Sequence, residues 1–64
     1  MVSPTTRDKL ACAQRELKMR RDIYPRWVEQ GRMSQAKADF EIACMEAILA
    51  DYQRAIENEQ QWER

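Results

Sequence analysis

The feature that most constrains the fold is a seam of apolar residues in the second half of the chain. Its six members follow one another at steps of four, three, four, three and four: Ala38, Ile42, Met45, Leu49, Tyr52 and Ile56. In a helix this spacing places every member on one stripe, which is the pattern of helices that pack side by side. The sequence therefore predicts a long helix, from about residue 34 to about residue 60, that packs against another helix.

A first helix is predicted over about residues 5–30. Two capping arrangements compete at its start, namely Ser3 before Pro4, and Thr5 followed by Asp8. Pro25 interrupts the pattern. We favour a kink near Pro25 over a second short helix, because the apolar stripe keeps its phase on both sides. Arg20 fills a gap in that stripe, whose apolar members are Leu10, Ala13, Leu17, Tyr24, Trp27 and Val28.

The only glycine of the chain, Gly31, follows the first helix and suits the left-handed residue that ends a helix. Residues 31–33 are predicted to form the turn, and Ser34 to cap the second helix. Two helices joined by so short a turn must lie antiparallel. The predicted fold class is all-α, an antiparallel two-helix hairpin that forms a single domain over residues 1–64. Apolar residues pair across it when their numbers sum to 66, as Leu17 and Leu49 do.

Each helix also carries a second apolar line that one hairpin would leave exposed. On the first helix it is Cys12, Met19, Ile23 and one edge of Trp27. On the second helix it is Ala36, Phe40, Ala43, Ala47 and Ala50. Exposed contiguous apolar surface usually marks an interface, so we predict a homodimer in which two hairpins form a four-helix arrangement. The predicted self-interface is Cys12, Met19, Phe40, Ala43 and Ala47. The alternative is that the alanines are only good helix formers on a solvated face.

Composition argues against catalysis. The 64 residues include no histidine, which removes the commonest general base and zinc ligand. Cys12 and Cys44 are expected to be small buried apolar residues, about 15 Å apart along the hairpin and beyond disulfide reach. The acidic residues of the second helix do not converge on one face, so we read them as solvating charges. We therefore expect no enzyme activity, no cofactor and no metal site.

The sequence gives no sign of a membrane or secretory segment. No apolar run approaches the ~20 residues that cross a bilayer, and the first residues lack the features of a signal peptide. We therefore expect a soluble cytoplasmic protein with reduced cysteines and no membrane partner.

Charge is balanced overall but divided between the halves. Eleven basic and eleven acidic residues cancel, yet residues 1–32 carry a net +4 and residues 33–64 a net −4. This division predicts that the two helices attract each other. Glu16 with Arg20 and Asp22 with Arg26 are expected to form ion pairs along the first helix.

The segment 18–27 mixes four cations with two aromatic residues and admits two readings. Such a composition can bind phosphates and stack on bases, which would make the chain a small nucleic-acid-binding dimer. The same residue types are enriched at protein interfaces, and this is the reading we prefer. The predicted contacts with a partner protein, all expected to be exposed, are Arg20, Arg21, Ile23, Arg26 and Trp27.

Residues 21–52 resemble small helical-hairpin proteins encoded by bacteriophages and prophages. The recurring elements are Tyr24-Pro25, Val28, Gly31, Met33-Ser34, Ala38, Glu41-Ile42, Met45, Ala47-Ile48 and Tyr52. Within that group the chain is similar to the quorum-sensing anti-activators of Pseudomonas phages. The resemblance implies a dimeric hairpin that binds and inhibits a host protein such as a transcriptional regulator or a motility ATPase. A structural phage component, in which the hairpin only oligomerises, is a further alternative.

Overall fold

The computed structural model describes the backbone of residues 2–62 and the side chains of residues 2–59. Helix α1 spans Thr6–Glu29 and helix α2 spans Gln35–Trp62, and the two pack along each other without any strand in this part of the chain. The predicted all-α hairpin is confirmed. Helix α2 continues two residues beyond its predicted end, where the sequence contains no glycine or proline to stop it.

Helix α1 begins at the second of the two candidate caps. The Thr5 hydroxyl accepts a hydrogen bond from the Asp8 amide at 3.0 Å, and the Thr5 amide donates to the Asp8 carboxylate at 2.9 Å. These reciprocal bonds satisfy two donors that a helix start otherwise leaves unpaired. They also stabilise the ionised carboxylate, chiefly through the Thr5 amide, and lower the pKa of Asp8 below its ordinary value of 3.8. Ser3 therefore does not act as the cap.

Pro25 lies inside α1, which continues as one helix to Glu29. The alternative of a separate short helix starting at Pro25 is wrong. Gly31 then adopts a φ of 72°, as expected of a residue that ends a helix, and the Arg32 amide donates back to the Trp27 carbonyl at 2.8 Å. Ser34 caps α2 by accepting from the Lys37 amide at 3.1 Å.

The predicted seam residues form the contact between the helices. Ala13, Leu17 and Met45 make up a buried cluster, with Ile42 and Leu49 packed against it. Ala38 and Ile56, towards the two ends of the seam, are buried as well. Every other seam residue of α2 is half-buried, so the predicted stripe of α2 faces α1 along its length.

The hairpin is long and thin for its mass. Its principal extents are 51 × 26 × 13 Å and its radius of gyration is 15.1 Å, where a compact chain of this length has about 11 Å. Its accessible surface is 5336 Å², whereas a compact protein of 7.7 kDa exposes about 4,300 Å². The hairpin thus exposes about 1,000 Å² more than a compact protein of its mass.

Candidate interaction surface

One side of the hairpin is an open groove with an apolar floor. Near the start of α1 the groove widens into a cavity of about 720 Å³. Cys12 lines it from α1, while Met45, Ile48 and Tyr52 line it from α2. The segment 2–4 borders the same cavity, and Val2 is almost fully exposed there. Ile48 keeps 43% of its surface exposed and so adds to the contiguous apolar surface of the groove.

A smaller cavity of about 210 Å³ continues the groove towards the turn. It lies along α1 and is bordered by Met19, Ile23 and Trp27. Glu16 borders both cavities and therefore marks the boundary between them. Met19 is 47% exposed, whereas Ile23 and Trp27 are half-buried, so the expectation that these two partner contacts are exposed is wrong. We call the two cavities and these lining residues the apolar groove.

Arg20 borders the smaller cavity and crosses from α1 to α2. Its Nε donates to Glu16 at 3.0 Å and its Nη1 donates to the Glu41 carbonyl at 2.8 Å. The Glu41 carboxylate lies 3.7 Å from the same Nη1, and the guanidinium stands 5.9 Å from the centre of the Tyr24 ring. The hydrogen bond to Glu16 is the main cause of a raised Arg20 pKa.

The expectation that Arg20 is exposed is wrong, because only 21% of its side chain is accessible. Its place in the seam explains this result, since the side chain lies between the helices and bonds to both of them. The pair with Glu16 that the sequence predicted is confirmed at 3.0 Å.

Arg21 lies on the opposite side of the hairpin. It pairs with Glu46 of α2 at 2.7 Å, and both side chains are about half exposed. Together with the bond between Arg20 and Glu41, this pair confirms that the oppositely charged helices attract each other. It also corrects the reading of Glu41 and Glu46 as merely solvating charges. Arg26 is exposed, as expected, and among the described residues it has no ion pair with Asp22.

The aromatic residues of segment 18–27 stack on each other. The ring centres of Tyr24 and Trp27 are 5.5 Å apart with planes inclined by 26°. The Arg32 guanidinium covers the Trp27 ring at 5.3 Å. Both rings are thus already engaged and half-buried, which leaves less aromatic surface for stacking on bases.

The residues predicted for self-association fall on two different surfaces. Cys12 and Met19 lie in the apolar groove, beside Ile23 and Trp27, which the sequence assigned to partner binding. Phe40, Ala43 and Ala47 are exposed, but they lie about 140–160° around α2 from Met45 and so face away from α1. The structure thus separates the self-interface set and places two of its five members beside Ile23 and Trp27 of the partner-binding set.

Cys12 is exposed, so its expected burial is wrong, whereas Cys44 is half-buried, and both are free thiols. Arg15 donates to the Cys12 sulfur at 3.1 Å. Sequence reasoning also missed the contribution of Ile48 and Tyr52 to the groove. Their signal was present, because both lie close to Met45 on the α2 stripe, but using it required knowing which side of the hairpin stays open.

Within residues 2–62, neither helix is long and apolar enough to cross a membrane. Across the same part of the chain, no three cysteine, aspartate or glutamate residues come together as a metal site would require. Comparison of the chain with protein-family models, curated proteins and solved structures finds no match.

Proposed function

We propose that the chain is a non-catalytic binding protein that forms a homodimer through the apolar groove and inhibits or modulates a host bacterial protein. The observation that carries this proposal is the groove, an exposed apolar surface with a cavity of about 720 Å³. Contiguous exposed apolar surface on a small protein usually marks an interface. The excess exposed surface of about 1,000 Å² is close to the ~800 Å² that each partner buries in a standard interface.

Self-association through the groove leaves the outer side of α1 for a second protein. Ile23 and Trp27 then belong to the self-interface, and Arg26, seven residues after Met19, lies at its edge, while Arg21 stays accessible. Lys18 and Arg15 are exposed and follow Arg21 around the outer side of α1. Three cations on this side of the helix favour an acidic surface on the partner, and arginine is among the residues that contribute most at interfaces.

The resemblance to phage proteins supports a more specific form of the proposal. The partner is then a host regulator of transcription, and the dimer acts in the bacterial cytoplasm. The mechanism is occlusion, in which a rigid helix face covers a functional surface of the regulator. A preformed helix loses little conformational freedom on binding, so most of the contact energy contributes to affinity.

A reporter of quorum-sensing transcription in Pseudomonas tests this proposal. We expect expression of the chain to lower reporter output, and Arg21→Gln to weaken that effect at least tenfold without loss of helicity or dimerisation. Arg54→Gln is the matched control, since Arg54 is an exposed arginine of α2 on another surface. Normal output with the wild-type chain, or equal effects of the two variants, would contradict the proposal.

Nucleic acid is the second candidate partner, and the exposed cations of α1 are the observation that favours it. Phosphate contacts would make such binding strongly salt-dependent. Gel shifts with duplex and single-stranded DNA at about 50 and 200 mM salt separate the two candidates. A complex at low salt that disappears at the higher salt would favour the nucleic acid, and no complex at either would favour the protein partner.

A further inference from the structure

We infer that the two copies meet head to tail, with α1 crossing α1 of the partner so that each large cavity receives the partner's Ile23 and Trp27. This inference rests on the proposed dimer and adds its direction and its contacts. It follows from the spacing of the groove residues, from their charges and from the different shapes of the two cavities.

The groove-facing residues of α1 have a symmetric spacing. Cys12, Glu16, Met19 and Ile23 follow one another at steps of four, three and four, which reads the same in both directions. In an antiparallel pair of such lines, each residue lies level with the partner residue whose number, added to its own, gives 35. Cys12 then lies level with the partner's Ile23, and Glu16 level with the partner's Met19. This is the seam geometry of paired helices.

Charge distinguishes this direction from the parallel one. A parallel in-register copy would place Glu16 against the partner's Glu16 and Arg20 against the partner's Arg20. Like charges in such positions repel, which suppresses that arrangement. The antiparallel copy instead brings Glu16 beside the partner's Arg20. Lys9 and Arg26, at the two ends of the same line, meet like charges in either direction, so the distinction rests on Glu16 and Arg20. Arg20 can take part because Nη2 makes no hydrogen bond among the described side chains, and its bonds to Glu16 and Glu41 use Nε and Nη1.

The two cavities also differ in size. The larger one, near the start of α1, is about 720 Å³, and its α1 wall holds the small side chains of Cys12 and Ala13 between Asp8, Lys9 and Glu16. The smaller one, towards the turn, is about 210 Å³ and is bordered by the bulky residues Met19, Ile23 and Trp27. A two-fold axis near Glu16, which borders both cavities, exchanges the two ends. The exposed parts of these bulky side chains then meet the partner's larger cavity, whereas a parallel pair would bring the two large cavities together.

The exposed thiol of Cys12 makes the direction measurable. In a Cys44→Ser background, Cys12 of the two copies would lie about eleven residues apart along antiparallel helices, or about 16 Å. That separation is far beyond disulfide reach. Adding Ile23→Cys places a second thiol level with the partner's Cys12. After mild oxidation with diamide, we expect little covalent dimer from the Cys44→Ser protein and mostly covalent dimer once Ile23→Cys is added.

The controls distinguish a dimer with a different arrangement from a chain that does not form a dimer. Peptide mass spectrometry should identify the bridge as Cys12 to residue 23, and the Cys12→Ser, Cys44→Ser, Ile23→Cys protein should not cross-link. Efficient cross-linking of Cys12 to Cys12 in the Cys44→Ser protein, which needs no change in the groove, would overturn the head-to-tail arrangement. A dimer in light scattering that gives neither bridge would also overturn it and move the interface elsewhere. A monomer in light scattering would overturn the dimer itself.

Discussion

Two neighbouring arginines have different roles because they face different sides of one helix. Arg20 is 21% accessible and bonds both helices at the floor of the groove, while the Arg21 side chain is 55% accessible in its pair with Glu46. Water therefore screens the Arg21 pair more than the bonds of Arg20, and this screening decides how much an ion pair contributes to the free energy of unfolding. The sequence places Arg20 both in a gap of the apolar stripe and, with Arg21, among the exposed contacts, and the bond from Arg20 to the Glu41 carbonyl shows that the stripe position is the correct one.

We predict that Arg20→Ala destabilises the hairpin more than Arg21→Ala. Loss of a partly buried charge-assisted hydrogen bond costs about 1.5–3 kcal/mol, whereas an exposed ion pair contributes about 0.2–1 kcal/mol. Urea unfolding followed by circular dichroism measures both at one protein concentration. Equal losses in the two variants would show that the bond from Arg20 to the Glu41 carbonyl does not hold the helices together.

At the scale of the elements, local signals predicted the helices and the turn well. The start of α1, its end and the start of α2 each lie within two residues of the prediction. Their signals, which are Thr5 with Asp8, Gly31 and Ser34, act through bonds to immediate neighbours. The open side of the hairpin could not be predicted in the same way. It depends on the rotation of each helix about its axis, which the packing of distant residues such as Leu17 and Met45 sets.

The turn yields a prediction about Gly31. At a φ of 72° any residue with a Cβ is strained, although nothing lies within 4 Å of a Cβ placed there. The cost of Gly31→Ala is therefore conformational, about 1–2 kcal/mol, and Gly31→Asn should cost less because asparagine tolerates this region better. Thermal unfolding compares the two variants. A larger loss for asparagine than for alanine would indicate a steric cause instead.

The cap of α1 predicts a pH dependence. The pKa of Asp8 is lower in the folded chain than its ordinary value of 3.8, so the carboxylate stabilises the fold above that value. This contribution is lost as pH falls through the lowered folded pKa. We expect Asp8→Asn to reduce the loss of stability on acidification, measured as unfolding midpoints between about pH 2 and 6. Parallel pH profiles for the variant and the wild type would show that protonation of Asp8 does not change the stability of the fold.

At the scale of the whole molecule, the two exposed apolar surfaces of the hairpin differ in shape. The groove holds Met19 and Ile48 around cavities, whereas Phe40 stands on the outer side of α2 and borders neither cavity. If the groove forms the self-interface, Met19→Glu places a charge in it and opposite the partner's Glu16. We predict at least tenfold weaker dimerisation, about 1.4 kcal/mol, while Phe40→Glu leaves it unchanged.

Sedimentation velocity over a dilution series measures those two dissociation constants. Neither residue is buried in the hairpin, so both variants should keep the helicity of the wild type. The reverse order, with Phe40→Glu the more disruptive, would assign the self-interface to Phe40, Ala43 and Ala47 on the outer side of α2.

In the proposed dimer, a second copy covers the apolar groove of each hairpin. Sedimentation equilibrium of the wild-type chain at several concentrations tests for this dimer, because the measured mass does not depend on the elongated shape. We predict twice the chain mass of 7.7 kDa at micromolar concentration and above, falling towards one chain on dilution. A mass of one chain at every concentration, with the helices intact, would contradict it.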